Sequence, residues 1–395
     1  MNPWKGLKNL PHNMWVLFAA TLINRSGTMV LPFFVLYLTQ KLHIPEKDAG
    51  FVLACYGIGA LITAPFVGKL SDKIGSLKVM KFSLILTGAL MFVYPLFTNY
   101  AVLLGVTLFF SVISEAFRPA NLSLIVEVVS PEQRKIAFAL NRLAINLGMS
   151  IGPVAGGFLT MLDYSIIFYV NGVTCLLAGL FLVFSRWDKL TEKDKQAEPD
   201  TERKNFFSFS LFGDSKLLLF VIATTPVMMI FFQHMSTVPL YMVEYLGYTT
   251  GLFGVLSAIN TVMIIFIEVP LNNAMGGWSD KKALMLGSLL TGIGFGAMAF
   301  AHNIPFLAAT IIVWTFGEMI FFPSSANYMA DIAPKEKRGE YMGFYQMTFS
   351  IAFTLGPWAG TQIYALTGPV ILWGITFIYS LISVVMFSRM KSRIS

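Results

Sequence analysis

Thr191-Glu-Lys-Asp-Lys-Gln-Ala-Glu-Pro-Asp-Thr-Glu-Arg-Lys204 is the centre of the one long charged stretch in this chain, Arg186 to Asp214, and long apolar runs lie on both sides of it. Those runs fall at 14–38, 48–70, 79–97, 101–127, 137–162 and 164–186 before the stretch, and at 215–243, 251–273, 283–301, 305–331, 341–366 and 370–388 after it. Each is about the 20 residues that an α-helix needs to cross a bilayer. The charged stretch therefore divides twelve expected transmembrane helices six and six. The predicted organisation is an N-terminal half over 1–186, a cytoplasmic linker over 187–214 and a C-terminal half over 215–395.

Composition leads to the same class. Of 395 residues, 56% are hydrophobic and only 12% charged, where an average soluble domain carries roughly a quarter. The 28 Lys and Arg and 21 Asp and Glu are too few and too bunched to form an even polar shell, which predicts lipid as the solvent. Met1-Asn2-Pro3-Trp4-Lys5 lacks the short apolar region and small-residue cleavage site of a secretory signal, so the first run is read as a retained helix.

Basic residues orient the chain. With the N-terminus inside, the cytoplasmic side receives Lys5, Lys8, Lys69, Lys73, Lys78, Lys81, Arg134, Lys135, the linker bases, Lys281, Lys282, Lys335, Lys337, Arg338, Arg389, Lys391 and Arg393; the other side receives Lys41 and Lys47. The positive-inside rule then places both termini in the cytoplasm, and the net charge of +7 needs no nucleic-acid partner. Cys55 and Cys175 lie in separate runs without a CxxC pair, so neither a disulfide nor a metal site is expected. No Gly-x-x-x-x-Gly-Lys-Ser/Thr loop, His-Glu-x-x-His run or Gly-x-Ser-x-Gly elbow occurs, so ATP hydrolysis and hydrolytic chemistry have no visible machinery and no cofactor is expected.

The two halves echo each other at an offset near 204 to 208 residues. Gly68-Lys-Leu-Ser-Asp72-Lys73 matches Gly276-Gly-Trp-Ser-Asp280-Lys281, Ser130-Pro-Glu-Gln-Arg-Lys135 matches Ala333-Pro-Lys-Glu-Lys-Arg338, and Gly152-Pro-Val-Ala-Gly156 matches Gly356-Pro-Trp-Ala-Gly360. These features resemble the major facilitator superfamily over essentially the whole chain. Gly68-xxx-Asp72-Lys73-x-Gly75 is similar to that family's loop signature between helices two and three, except that Ser76-Leu77 stand where a basic pair usually follows. Gly148-xxx-Gly152-Pro153-xx-Gly156-Gly157 resembles the antiporter signature of its drug:proton antiporter families. The resemblance implies an all-α fold of two six-helix halves that rock about a midplane site and move a solute by alternating access. It also implies that Asp72, Lys73 and Glu127, with Asp280 and Lys281 in the second copy, form charge clusters that gate the halves. Packing glycines and solvated turns are the plainer readings of the same motifs.

Ionisable residues deep in apolar runs are the candidate functional groups, because an unpaired charge in hydrocarbon costs at least about 2.5–3.5 kcal/mol. Arg25 lies about eleven residues into the first run; Glu115 and Arg118 lie mid-way along the fourth, three apart and so able to pair; Glu318 sits at equivalent depth in the tenth. Glu115 and Glu318 are the expected proton carriers, with Arg25 and Arg118 tuning Glu115 and His234 read as a relay or as a hydrogen-bonded interior residue. A static ion pair is the alternative for Glu115 with Arg118. Asn24, Arg25, Asn146, Gln233, His234, Asn260 and Glu318 are the expected substrate-facing polar groups. The 36 Phe and 21 Met suit a greasy cavity for an amphipathic solute.

The predicted function is proton-coupled export of a small amphipathic organic compound across a bacterial-type inner membrane by a chain that works as a monomer. Import of a metabolite or metal-chelate is the second expectation, and a non-transporting receptor or lipid-handling protein the third.

Overall fold

The computed structural model describes residues 7–130, 133–187, 213–334 and 337–390. The 187–214 linker, apart from its ends, and Pro131, Glu132, Lys335 and Glu336 of the matched loops lie outside the described residues. Among the described residues the chain is helical and contains no strand. Ten helical segments are long and apolar enough to cross a membrane: His12–Lys41, Ser76–Leu96, Tyr100–Val128, Ile136–Thr160, Ile166–Phe184, Ser215–Met235, Thr250–Ala274, Asp280–Phe300, Ile304–Ile332 and Pro369–Ser388. The other two expected runs fall inside Glu46–Ile74 and Arg338–Thr367, helices of 29 and 30 residues that extend into charged ends. A helix satisfies its backbone polar groups within one segment, which hydrocarbon demands. The protein is a multi-pass, all-α membrane protein.

Local chemistry sets where segments begin. Asn99 accepts from the N–H groups of Ala101 and Val102 at 3.0 and 3.3 Å, Asp214 from those of Lys216 and Leu217 at 2.8 and 3.3 Å, and Asn303 from that of Phe306 at 2.9 Å. Each satisfies donors that a helix leaves open at its start. Prolines interrupt the interiors. Pro119 has no N–H for the carbonyl of Glu115, and the helix breaks at Ala116 into Tyr100–Glu115 and Phe117–Val128.

The sequence repeat reappears in an unusual element. The first run is helical over His12–Ser26 and Val30–Leu36 and ends in a π-helical turn, Tyr37–Lys41. The seventh is helical over Ser215–Phe231, tightens over Phe232–Met235, breaks at Ser236, resumes over Thr237–Leu240 and ends in a π-helical turn, Tyr241–Tyr245. In both, the backbone closes alike: Leu42 donates to the carbonyl of Tyr37 and Leu246 to that of Tyr241, while Ile44 donates to Leu38 and Tyr248 to Met242. His43 and Gly247 follow these turns with φ of 54° and 71°.

Two compact units can be distinguished. The first comprises Met1–Val30 with Ile58–Lys204, the second Leu31–Gly57 with Asn205–Ser395. Met14, Leu17, Leu84, Phe117, Leu124 and Leu182 belong to the apolar core of the first, and Leu217, Phe220, Met228, Leu284, Phe321 and Phe387 to that of the second.

Candidate functional site

In the second unit, Glu318 lies near the middle of the Ile304–Ile332 helix. Its Oε2 accepts a 2.5 Å hydrogen bond from Nδ2 of Asn260, on the Thr250–Ala274 helix, and the same amide nitrogen lies 3.2 Å from Oγ1 of Thr315. Thr315 is fully buried and donates to the carbonyl of Ile311 at 2.7 Å. One helix thus offers the carboxylate, its neighbour offers the donor, and the threonine one turn before Glu318 shares it. A donor held against an ionised oxygen stabilises the charge where water is scarce.

Beside this group lies a small cleft lined by His234, Val238, Met242, Phe253, Ser257, Asn260, Ile311 and Trp314. The His234 ring stacks on Trp314 with centroids 6.1 Å apart and lies 4.6 Å from Phe231. Its Nδ1 is 2.6 Å from the carbonyl of Phe231. A carbonyl only accepts, so Nδ1 carries the proton and Nε2 is the ring's acceptor in the neutral form. Two of the residues picked out in the sequence, Asn260 and His234, therefore line one cleft, and a third, Glu318, bonds to Asn260. Trp314, Thr315 and Ser257 escaped notice; Trp314 and Thr315 lie four and three residues before Glu318, a spacing that shares its face.

Gln233 has a different place. It is buried at the break of the seventh run, donating to the carbonyls of Met229 at 3.0 Å and Gly356 at 2.7 Å and accepting from Thr237 Oγ1 at 2.9 Å. These bonds occupy both amide hydrogens in bracing the interrupted backbone, so Gln233 does not offer them to a solute.

In the first unit, Glu115 and Arg118 stand on either side of an interruption of the helix at Ala116; Glu115 is half-buried and Arg118 exposed. Ala116 itself keeps right-handed helical angles, φ −64° and ψ −25°, and the interruption reflects the hydrogen bond that Pro119 cannot donate. Arg25 places its guanidinium 5.4 Å from the centre of the Phe117 ring, beside that interruption. Asn24 is buried and donates to Sγ of Cys175 at 3.3 Å, as does Asn171. Asn146 is half-buried on the Arg134–Thr160 helix.

The two glutamates differ by one residue in register. Pro119 and Pro323 are 204 residues apart and mark the same place in the two copies. Glu115 lies four residues before the first and Glu318 five before the second, so on a helix of 3.6 residues per turn their directions differ by about 100°.

The gating motifs resolve unequally. Gly75, with φ 92°, starts the Ser76–Val93 helix, and the hydroxyl of Ser76 donates to the carboxylate of Glu127. Serine in the place of the usual base thus contacts the glutamate as a neutral donor. Gly68 and Asp72 lie in Glu46–Ile74, with their side chains outside the described set, and Lys73 is exposed. In the second copy both Oδ atoms of Asp280 accept from Nδ2 of Asn327 at 3.1 Å, and Lys281 is half-buried beside it in the same helix. Asp214, just before the seventh run, accepts from the Tyr341 hydroxyl at 2.5 Å. That bond, with the Lys216 and Leu217 N–H groups, holds its carboxyl below the usual range against a smaller opposing effect of burial.

The glycine-proline motif acts by close approach in both units. A Cβ on Gly152 would lie 2.8 Å from the carbonyl oxygen of Thr28, and one on Gly148 would strike Arg25. A Cβ on Gly356 would lie 2.8 Å from the carbonyl oxygen of Met229, and one on Gly360 would strike Gln233. Gly156 and Gly157 continue the first motif, and the carbonyls of both accept from Thr160 Oγ1 at 2.9 Å.

Known proteins agree with this architecture. The chain is 23% identical over 366 residues to a Na(+), Li(+), K(+)/H(+) antiporter of Planococcus maritimus, covering 85% of each. It is 23% identical over 365 residues to the class B tetracycline resistance protein of Escherichia coli, covering 88% of each. Among solved structures, the nucleoside transporter NupG superposes with a TM-score of 0.82 at 14% identity, over 96% of this chain and 100% of that one. The model of the Major Facilitator Superfamily matches residues 16–278 and 238–393. Two overlapping family matches spanning nearly the whole chain, on a fold shared with a known transporter, identify this protein as a transporter of the Major Facilitator Superfamily.

Proposed function

We propose that the protein is a proton-coupled antiporter that exports a small, amphipathic organic compound from the cytoplasm of a bacterial-type cell, working as a monomer by alternating access. The observation that carries the reading is the carboxylate of Glu318, inside a membrane-spanning helix, held at 2.5 Å by Asn260 beside an aromatic-lined cleft. An intramembrane carboxylate is a functional group before it is a structural one, because its charge costs more in hydrocarbon than packing returns. In this reading the two halves, 1–186 and 215–395, rock about the midplane, with both termini cytoplasmic. A proton from outside neutralises Glu318, and its release inside restores the carboxylate for which a substrate competes. Relatives named for proton antiport and for tetracycline resistance support this reading over import.

The test uses proteoliposomes with an imposed proton gradient, a pH-sensitive dye inside, and a panel of lipophilic cations and neutral aromatic compounds. A substrate collapses the gradient in the parent, Glu318→Gln lowers that flux at least about 100-fold, equivalent to roughly 2.7 kcal/mol, and Asn260→Leu lowers it at least about tenfold. Full flux in Glu318→Gln ends the assignment.

A further inference from the structure

The cleft beside Glu318 lies wholly within the second unit, and the hydrogens of its polar side chains can be followed one by one. His234 commits Nδ1 to the carbonyl of Phe231 at 2.6 Å, so the neutral ring offers only the acceptor Nε2. Ser257 donates its hydroxyl hydrogen to the carbonyl of Phe253 at 2.8 Å, which leaves the lone pairs of Oγ. Asn260 turns Nδ2 to Oε2 of Glu318 and Oγ1 of Thr315, neither of which lines the cleft, so Oδ1 is the polar atom it has left for that space. The other donor among the lining side chains, Nε1 of Trp314, is enclosed by protein, and the indole offers the cleft ring carbon.

Three acceptors are therefore available to this space, and among the described lining side chains no donor is. Ser257 and Asn260 stand three apart on one face of the Thr250–Ala274 helix, and His234 comes from the tightened turn Phe232–Met235. Met242, Phe253 and Ile311 make the wall between them apolar. A hydroxyl, carbonyl or carboxylate entering here sets its own lone pairs against acceptors, and each acceptor left without a donor bears its full desolvation cost. An ammonium group carries three donors and no acceptor. The Glu318 carboxylate, bonded to the Asn260 amide, supplies the opposite charge and polarises that amide, which makes Oδ1 a stronger acceptor.

We propose that the cleft is the head-group site of the transported compound and that it selects a nitrogen carrying N–H bonds, a protonated primary amine above all, over a quaternary ammonium of the same charge. The proposal rests on the transport reading for taking the occupant as substrate, and it goes further by naming the chemical class. The cleft is small, so it takes the amine end and not the ring system of an amphipathic molecule. His234, Ser257 and Asn260 then set specificity, since a site built to accept N–H bonds rejects the analogue that lacks them. Charge is common to both kinds of ligand; the number of N–H bonds separates them.

Equilibrium binding to the purified protein in detergent, with no gradient imposed, keeps the test apart from proton coupling. The probes are naphthylmethylamine, its N,N-dimethyl derivative and its N,N,N-trimethylammonium derivative, cations that share one ring and carry three, one and no N–H bonds. The primary amine binds at least about tenfold more tightly than the trimethyl compound, with the dimethyl compound between them. Ser257→Ala and His234→Phe each weaken the primary amine at least about threefold and leave the trimethyl compound unchanged, a pattern that bulk at the nitrogen does not produce. Equal affinities for the three probes, equal losses for all three in the variants, or no binding of any of them overturns the proposal. Should His234→Phe fail to fold, Ser257→Ala decides the question. An amine preference beside full flux in Glu318→Gln ends proton coupling and keeps the head-group site, whereas flux that needs Glu318 without an amine preference does the reverse.

Discussion

Polar side chains in hydrocarbon are legible one by one, because each demands a partner. Glu318, Asn260 and His234 stood out in the sequence for that reason; their elements bring Asn260 and His234 to one cleft and Glu318 onto Asn260. Gln233 stood out on the same ground, yet its amide braces a helix break. Hydrogen-bond demand is visible in a sequence; the group that meets it is not. Asp214 and Tyr341 show the converse, an ordinary-looking pair that ties the start of one helix to the start of another. With its carboxyl held below the usual range, Asp214 contributes stability that is fully present above the unfolded value of 3.8 and is lost as pH falls through the lower folded value. Tyr341→Phe is therefore expected to lower the melting temperature in detergent slightly at pH 7, on the order of 2 °C for this part-buried pair. The difference from the parent should vanish in acid below that range, and a melting difference that grows on acidification would contradict it.

Elements were read well where the length of an apolar run decides them and less well where one residue interrupts a run. Pro119 was available to inspection, but only the structure showed that the helix is interrupted between Glu115 and Arg118. The π-helical ends of the first and seventh runs had no signature at all, since Tyr37–Lys41 and Tyr241–Tyr245 share little beyond their first tyrosine. The glycine motif was legible as close packing, and the structure supplies its partners. Gly152→Val puts a branched side chain against the Thr28 carbonyl, and Gly356→Val does so against Met229. Overpacking of this kind costs about 1–3 kcal/mol. Each variant should melt several degrees lower and lose at least about tenfold in flux; parent-like melting and flux in both would remove close approach as the motif's purpose.

At the scale of the molecule, basic residues predict the topology and the structure supplies sites that test it. Gly277 has open space around its missing Cβ and lies in the loop expected inside, whereas exposed Thr98 lies in a loop expected outside. In a Cys55→Ala/Cys175→Ala background, an impermeant thiol reagent should label Thr98→Cys in intact cells and Gly277→Cys only after permeabilisation; the reverse pattern would invert the chain. Sequence alone was sufficient for the solvent, the helical class, the repeat and the family, because runs of apolar residues and a constant offset are one-dimensional properties. It was also sufficient to nominate buried charges. Only the tertiary structure decided which of them share a site, that residues 31–57 pack with the C-terminal half, and that Gln40 meets Glu244. Those are contacts between residues 58 to 205 apart in the chain, set by helix breaks and packing angles that no local pattern encodes.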